Sequence, residues 1–437
     1  MVDLQKKNYT LPIIMMIALF GMISFVTGLA NPMGVIVKSQ FGASNFMSQL
    51  GTLANFIAYA FMGIPAGIML KKIGYKKTAL AAVVVGFTGV GIQFLSGVAS
   101  SFIVYLTGAF VAGFSMCMLN AVVNPLINTL GFFQAKNRGK SDEESNKKAN
   151  QLLQFGGSFN SLMATIVPVL VGYLMGDAAR ASIKDANPAL FIAMGIFALV
   201  FIVLFFVNIP EPHAAQAKEK LSYATLFKFR HYLLGTIAIF IYVGVEVGIP
   251  NIMNLFLTDS TSTGFGMDKT AAGAIVGTYW FLMLVGRFSG AAIGNKVSGK
   301  TMLTAAALLG LVFVTIAIFA PITATVNMPV FKSDISFGLI EAPVSILFLV
   351  LCGLCTSVMW GGIFNLAVNG IGKYITIGSG FFMVMVCGGG ILPAIQGWIA
   401  DMATYMTSYW IVFAGIAYLL YYALIGSKNV NKDISVE

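Results

Sequence analysis

Charge is what this chain has least of. Only 10% of its 437 residues are Asp, Glu, Lys or Arg, against 58% hydrophobic, and its mean hydropathy is +0.87. That balance excludes the surface of a soluble globular domain, which needs far more charge. Histidine occurs twice, as His213 and His231, both around one central polar break. The four cysteines, Cys117, Cys352, Cys355 and Cys387, all fall inside apolar runs, which excludes a disulfide framework and a metal site despite the CxxC spacing. No pair of catalytic groups is embedded among the apolar segments, so an integral-membrane enzyme is set aside. Acid is rarest where it would matter most. Of the 16 acidic residues, Glu246 alone stands in the middle of an apolar run, residues 233–257. A carboxylate at membrane depth is costly and marks a functional position.

The runs themselves define the class. Spanning a hydrocarbon core takes about 20 apolar residues. Such runs recur at residues 11–36, 46–70, 78–98, 101–131, 150–176, 187–208, 232–257, 270–294, 301–324, 341–371, 375–400 and 403–426. The expectation is an all-α polytopic membrane protein of twelve transmembrane helices. Barrel strands would alternate and be about ten residues long, so a β-barrel is excluded. The first run continues through Gly34, Val35 and Ile36 with no small-residue cleavage site, and reads as a retained helix.

Orientation follows from the cations. Most of the 26 Lys and Arg residues fall before the first run, after even-numbered runs and at the C-terminus, including Lys72, Lys76, Lys136, Arg230, Lys296 and Lys300. The positive-inside rule then places both termini in the cytoplasm, in the inner (cytoplasmic) membrane. The net charge of +10 is explained the same way, and no folded basic module supports nucleic-acid binding.

The chain also repeats itself. Asn124, Asn128 and Gly131 of the fourth run match Asn365, Asn369 and Gly372 of the tenth. Lys72, Gly74 and Lys76 after the second run match Lys296, Ser298 and Lys300 after the eighth. Pro168, Gly172 and Asp177 match Pro393, Gly397 and Asp401. The first half is longer by a polar insert, KNRGKSDEESNKKAN at 136–150, whose composition reads as a solvated or disordered excursion. The expected organisation is an N-terminal six-helix bundle at 1–210, a linker at 211–230 carrying a short surface helix, and a C-terminal bundle at 231–437. Parallel repeats with a substrate site between them belong to rocking transporters.

Particular segments carry a family resemblance: GIPAGIMLKKIGYKK at 63–77, NAVVNPLINTLG at 120–131, FNS at 159–161, YVGVEVGI at 242–249, VGRFSGAAIGNKVS at 285–298 and the glycine-rich 364–397. Together they resemble the fucose-permease branch of the major facilitator superfamily, which includes glucose/galactose and fucose:proton symporters. The resemblance implies two pseudo-symmetric six-helix bundles and sugar uptake coupled to protons or, in some members, to sodium. It also implies acids at two positions where this chain has Asn31 and Asn120. An amide does not gain or lose a proton near neutral pH, so proton coupling through those two positions is removed.

A sugar site needs planar amides and carboxylates beside aromatic faces. The candidates are Asn31, next to the helix-interrupting Pro32; Asn120 and Asn124, four apart on one helical face; Gln154 and Asn160 in the fifth run; Glu246 and Asn251, with Pro250 expected to break the seventh helix; Tyr279, Trp280 and Trp360 as stacking surfaces, with Tyr242; and Asn365. Each of the amides has a plainer alternative as hydrogen-bond glue between helices. Glu246 is the candidate for cation coupling. Arg287, the one cation inside a run, is assigned with Lys72 and Lys296 to gating. No cofactor is expected beyond a coupling ion, H+ or Na+. The partners are a monosaccharide, N-acetyl sugar or disaccharide and the surrounding lipid, with the monomer complete in itself. A drug or small-metabolite exporter on the same fold is the alternative.

Overall fold

Inside a hydrocarbon layer no water satisfies the backbone, so a spanning segment must close its own hydrogen bonds and becomes a helix. The computed structural model describes residues 9–174, 182–211, 223–293, 297–332, 336–371 and 374–431. Its helices are α1 (Thr10–Gly28), α2 (Ala30–Phe41), α3 (Asn45–Ala99), α4 (Phe102–Lys136), α5 (Asp142–Leu174) and α6 (Asn187–Phe206) in the first half. A short helix, α7 (Tyr223–Leu226), precedes α8 (Arg230–Thr258), α9 (Lys269–Ile293), α10 (Gly299–Phe319), α11 (Val344–Thr356), α12 (Met359–Val368), α13 (Ile375–Met385), α14 (Gly388–Met402) and α15 (Tyr405–Tyr421), which ends in a π turn. Eleven described helical segments are long and apolar enough to span a membrane, and residues 155–171 form a shorter apolar one.

Local chemistry explains the breaks. α1 ends at Gly28 and α2 begins at Ala30, because Pro32 has no N–H to offer the Gly28 carbonyl. α3 is two helices joined at Gly74, whose φ of 82° and ψ of 176° suit only glycine. There Glu211 accepts hydrogen bonds from the Tyr75 and Lys76 amides at 2.7 and 3.0 Å, capping the second of the joined helices. A Cβ at Gly74 would sit 2.7 Å from those carboxylate oxygens.

The lysine echo between the halves has a structural meaning. Lys76 Nζ donates to the Phe205 carbonyl at 2.9 Å, and Lys300 Nζ to the Leu424 carbonyl at 3.3 Å. Each lysine therefore neutralises the negative end of the last helix in its own half.

Three features differ from the expectations. The polar insert is largely helical: α5 begins at Asp142. Ser141 Oγ accepts from the Glu144 amide at 3.2 Å, and Glu144 accepts from the Ser141 amide at 3.1 Å, a reciprocal capping box. Pro250 does not break α8, which runs straight through it. A β-hairpin, β1 (Thr325–Phe331) with β2 (Phe337–Pro343), pairs antiparallel where only a loop was expected. Its Phe331 amide donates to Thr278 Oγ1 of α9 at 2.9 Å, and the Phe331 and Phe281 rings stack 5.5 Å apart.

The halves meet along α5 with α9 and α3 with α14. Without a water-driven hydrophobic effect between helices, close contact depends on small residues. At Gly390 a Cβ would lie 2.7 Å from Leu53 Cα of the other half, and at Gly388 one would lie 1.9 Å from the Phe240 carbonyl oxygen. The glycine run at 388–390 thus serves helix crossings. α3 and α13 touch at Gly63 and Val384, but a Cβ on Gly67 or Gly380, each one turn nearer the lysine-rich end, would meet nothing within 4 Å.

Candidate functional site

Glu246 lies in α8 and Arg287 in α9, and their side chains approach at 3.4 Å between Oε1 and Nη2. The pair is only 14% and 16% exposed, so the two opposite charges compensate each other away from bulk water. Arg287 reaches further: its Nη1 donates to the Gly157 carbonyl of α5 at 2.7 Å. One guanidinium therefore ties the acid in the middle of α8 to the backbone of the first half.

The surroundings hold the pair in place. Pro250 cannot donate to the Glu246 carbonyl one turn back, and Tyr279 fills the vacancy, its hydroxyl donating to that oxygen at 3.2 Å. The Tyr279 hydroxyl also lies 3.1 Å from Thr356 Oγ1, which in turn bonds the Cys352 carbonyl. Beside Arg287, Gly286 lets the break between α11 and α12 press against α9. A Cβ there would come 2.2 Å from Ser357 Oγ. On the facing helix, a Cβ on Gly157 would meet only Arg287 Nη1 at 3.7 Å, whereas one on Gly156 would strike the Phe20 ring at 2.6 Å. Only Gly157 of the two leaves space beside the pair.

Tyr242 stands one turn before Glu246 on the same face of α8. It is fully buried and its hydroxyl lies against both Glu246 and Arg287. Neither contact reaches hydrogen-bonding geometry, so the hydroxyl interacts with both charged groups without a well-formed hydrogen bond to any described residue. The Trp360 ring sits edge-on to Tyr242 at 6.2 Å, and Trp280 edge-on to Tyr279 at 5.2 Å.

The remaining sequence candidates fall into different roles. Asn120 and Asn124 share a face of α4, as expected, but they also bond locally. Asn120 donates to the Tyr59 hydroxyl at 3.0 Å, and Asn124 to the Asn120 carbonyl at 2.9 Å. Both are half-buried, as is Asn160, three residues after Gly157. Asn251 is buried and donates to Gln49 Oε1 at 3.0 Å and Thr52 Oγ1 at 3.2 Å of α3, which makes it a tie between the halves. Asn365 is exposed on α12. The side chains of Asn31 and Gln154, and all of Lys296, lie outside the described residues. Lys72 is exposed at the lysine-rich end, where Lys76 makes the interhelical contact. Tyr279 supports the Glu246 backbone.

At the opposite end is a cluster that the sequence reading passed over. Lys38 pairs with Asp259 at 3.0 Å and donates to Asn45 Oδ1 at 2.8 Å. The Tyr405 hydroxyl donates to Asp259 at 2.6 Å and lies 2.8 Å from Asn45 Oδ1. Asp401 accepts from the Asn45 and Phe46 amides at 2.7 and 2.8 Å, capping the N-terminus of α3 with an acid from the other half. Burial pushes the Asp259 carboxyl up, but hydrogen bonds from Tyr405, the Thr261 amide and Lys38 outweigh it and hold the group down at about 2. Sequence signals were present: Lys38 is one of few cations on that side, and Asp401 belongs to a repeated Pro-Gly-Asp set. Among the described residues no cluster of His, Cys, Asp and Glu could hold a metal ion.

Comparison with known proteins agrees with this architecture. The Major Facilitator Superfamily profile matches residues 13–394. A glucose/galactose transporter of Brucella abortus (strain 2308) is 29% identical over 97% of this chain and 96% of its own length. An L-fucose-proton symporter of Escherichia coli (strain K12) is 22% identical over 91% and 89%. The crystal structure of the superfamily transporter FucP in its outward conformation superposes with a TM-score of 0.68 at 20% identity, covering 97% of this chain and 100% of that one.

Proposed function

The chain belongs to the Major Facilitator Superfamily, and we propose that it imports a neutral sugar across the cytoplasmic membrane by alternating access, with Glu246 and Arg287 at the centre of its binding site. The observation that carries this reading is the central ion pair, held between the halves and linked to both of them. A moving substrate site has to touch both bundles and sense their separation, and Arg287 does both. Relatives named as glucose/galactose and fucose transporters support a sugar as the cargo. So does the chemistry at the pair: a carboxylate and a guanidinium with Tyr242, Tyr279, Trp280 and Trp360 close by.

In this reading the lysine-rich end is cytoplasmic, as are both termini, and the protein acts as a monomer. The Lys38–Asp259–Tyr405 cluster closes the outer end, and the open space beside Gly67 and Gly380 among the described residues of the lysine-rich end supports an inward-facing arrangement. Release of sugar inward then precedes re-formation of contacts at the cytoplasmic end and breaking of the outer cluster. Glu246 is also the group through which a coupling ion, H+ or Na+, would act.

The test is uptake of a labelled hexose and disaccharide panel in proteoliposomes, under an imposed pH gradient or sodium gradient, for wild type and Glu246→Gln. Sugar uptake that depends on Glu246 is expected. Accumulation driven by the pH gradient and abolished by the substitution makes Glu246 the coupling group. Sodium-driven or downhill uptake that survives with a raised KM makes it a binding group. No uptake of any sugar by wild type contradicts the proposal.

A further inference from the structure

Tyr242 presents a buried hydroxyl that lies against the central ion pair without a well-formed hydrogen bond to any described residue. Such an orphan is costly, because a buried O–H that bonds nothing loses its water without replacement. The neighbouring hydroxyl on the same site behaves differently: Tyr279, equally buried, has acceptable geometry to the Glu246 carbonyl and to Thr356. Packing therefore does not force tyrosines here to go unsatisfied. The chain spends bonds on Tyr279, which supports the helix, and leaves open the one hydroxyl that faces the charges.

We propose that Tyr242 is a specificity-determining residue that completes its hydrogen bonds only when a substrate hydroxyl enters between it and Glu246. The assignment rests on the sugar-import reading. A single sugar hydroxyl suits this position because it accepts and donates at once: its oxygen accepts the Tyr242 O–H, and its own proton goes to the Glu246 carboxylate. The edge-on Trp360 ring beside Tyr242 supplies an apolar surface for the C–H side of the same ring. An ether, a fluorine or a hydrogen at that position fails one or both bonds. The site then rejects the deoxy sugar by leaving Tyr242 unpaired, a stronger discrimination than a missing apolar contact gives.

The test uses purified full-length protein and measures binding of a parent hexose and its singly deoxygenated and fluorinated analogues, for wild type and Tyr242→Phe. Phenylalanine keeps the ring and removes only the hydroxyl. The expected result is one ring position at which deoxygenation weakens wild-type binding by roughly 10- to 100-fold, with the fluoro analogue also weakened. In Tyr242→Phe that position loses most of its discrimination, while the penalties at other positions stay as in wild type. A uniform loss of affinity across all analogues, or no change at any, overturns the assignment and leaves sugar import standing. If wild type binds no sugar, the import reading falls and this assignment falls with it. Thermal unfolding of both proteins separates a folding defect from either outcome, and Tyr242→Leu, which removes the ring as well, is expected to lose affinity for every analogue.

Discussion

Two of the polar contacts that join the halves of this molecule are built on opposite principles. At the outer end Asp259 is bonded by Lys38, Tyr405 and the Thr261 amide, and Asp401 by two backbone amides. At the centre the ion pair is long at 3.4 Å, partly accessible, and flanked by a tyrosine hydroxyl that makes no well-formed hydrogen bond with a described residue. A saturated cluster holds a closed conformation and has little left to offer a ligand. An unsaturated one is a site waiting for hydrogen bonds. Under the proposed function, this contrast makes the outer end the gate and the centre the place of substrate recognition.

The strongest way to break that contrast is Glu246→Ala. It leaves the Arg287 guanidinium buried without its carboxylate, which costs about 3–5 kcal/mol. Sugar uptake should fall at least about 100-fold, with a lowered unfolding temperature in detergent. Uptake and stability close to wild type would remove Glu246 from the account.

Gly286→Ala tests whether the centre depends on its scaffold. The new methyl would sit 2.2 Å from Ser357 Oγ, and overpacking of this kind costs typically about 1–3 kcal/mol. Because Arg287 is the next residue, the KM for sugar should rise as well. Gly157→Ala is the control: its nearest contact is 3.7 Å, so it should fold normally and change affinity alone.

Asp259→Asn addresses the other side of the comparison. It should shift the population toward the outward-open form by about tenfold, roughly 1.4 kcal/mol, read as faster modification of a reporter cysteine at the outer end, with the affinity of the centre unchanged. The pH dependence has a definite sign. A carboxyl held down at about 2 when closed, and near its ordinary value of about 4 when open, stabilises closure fully above the ordinary value. That contribution is lost as pH falls from about 4 through about 2. The outer gate should therefore be insensitive to pH between about 5 and 8, and reporter labelling that changes across that range would contradict the assignment.

The smallest effect belongs to the mirrored lysines. Lys76→Ala and Lys300→Ala each remove one helix-end contact worth about 0.3–1 kcal/mol. They should lower stability by similar amounts in the two halves, measured by thermal unfolding, and leave affinity alone.

The two regions also differ in how far the sequence reveals them. Glu246 stands out because an acid in an apolar run has no cheap explanation, and the paired repeat is legible because Asn124 and Asn365, or Lys76 and Lys300, recur at matching offsets. The extra helical turns at the start of α5 were legible in principle, through the Ser141 and Glu144 capping box, but the polar composition of the insert masked them. Pro250 was read as a break, whereas a supporting hydroxyl from Tyr279 lets α8 continue. The outer cluster depends on residues far apart in sequence, Lys38, Asp259 and Tyr405, each unremarkable in its own segment. Likewise, nothing local distinguishes Tyr242 from Tyr279: one hydroxyl is satisfied and the other is not only because of how α9 and α11 pack against α8.

The most direct test of the central claim is equilibrium binding of one transported sugar to wild type, Glu246→Gln and Asp259→Asn in detergent, measured side by side. The account predicts that Glu246→Gln weakens binding by about tenfold or more while Asp259→Asn binds like wild type. Binding that survives in Glu246→Gln and is lost in Asp259→Asn would place recognition at the outer end and contradict the division of labour between the two regions.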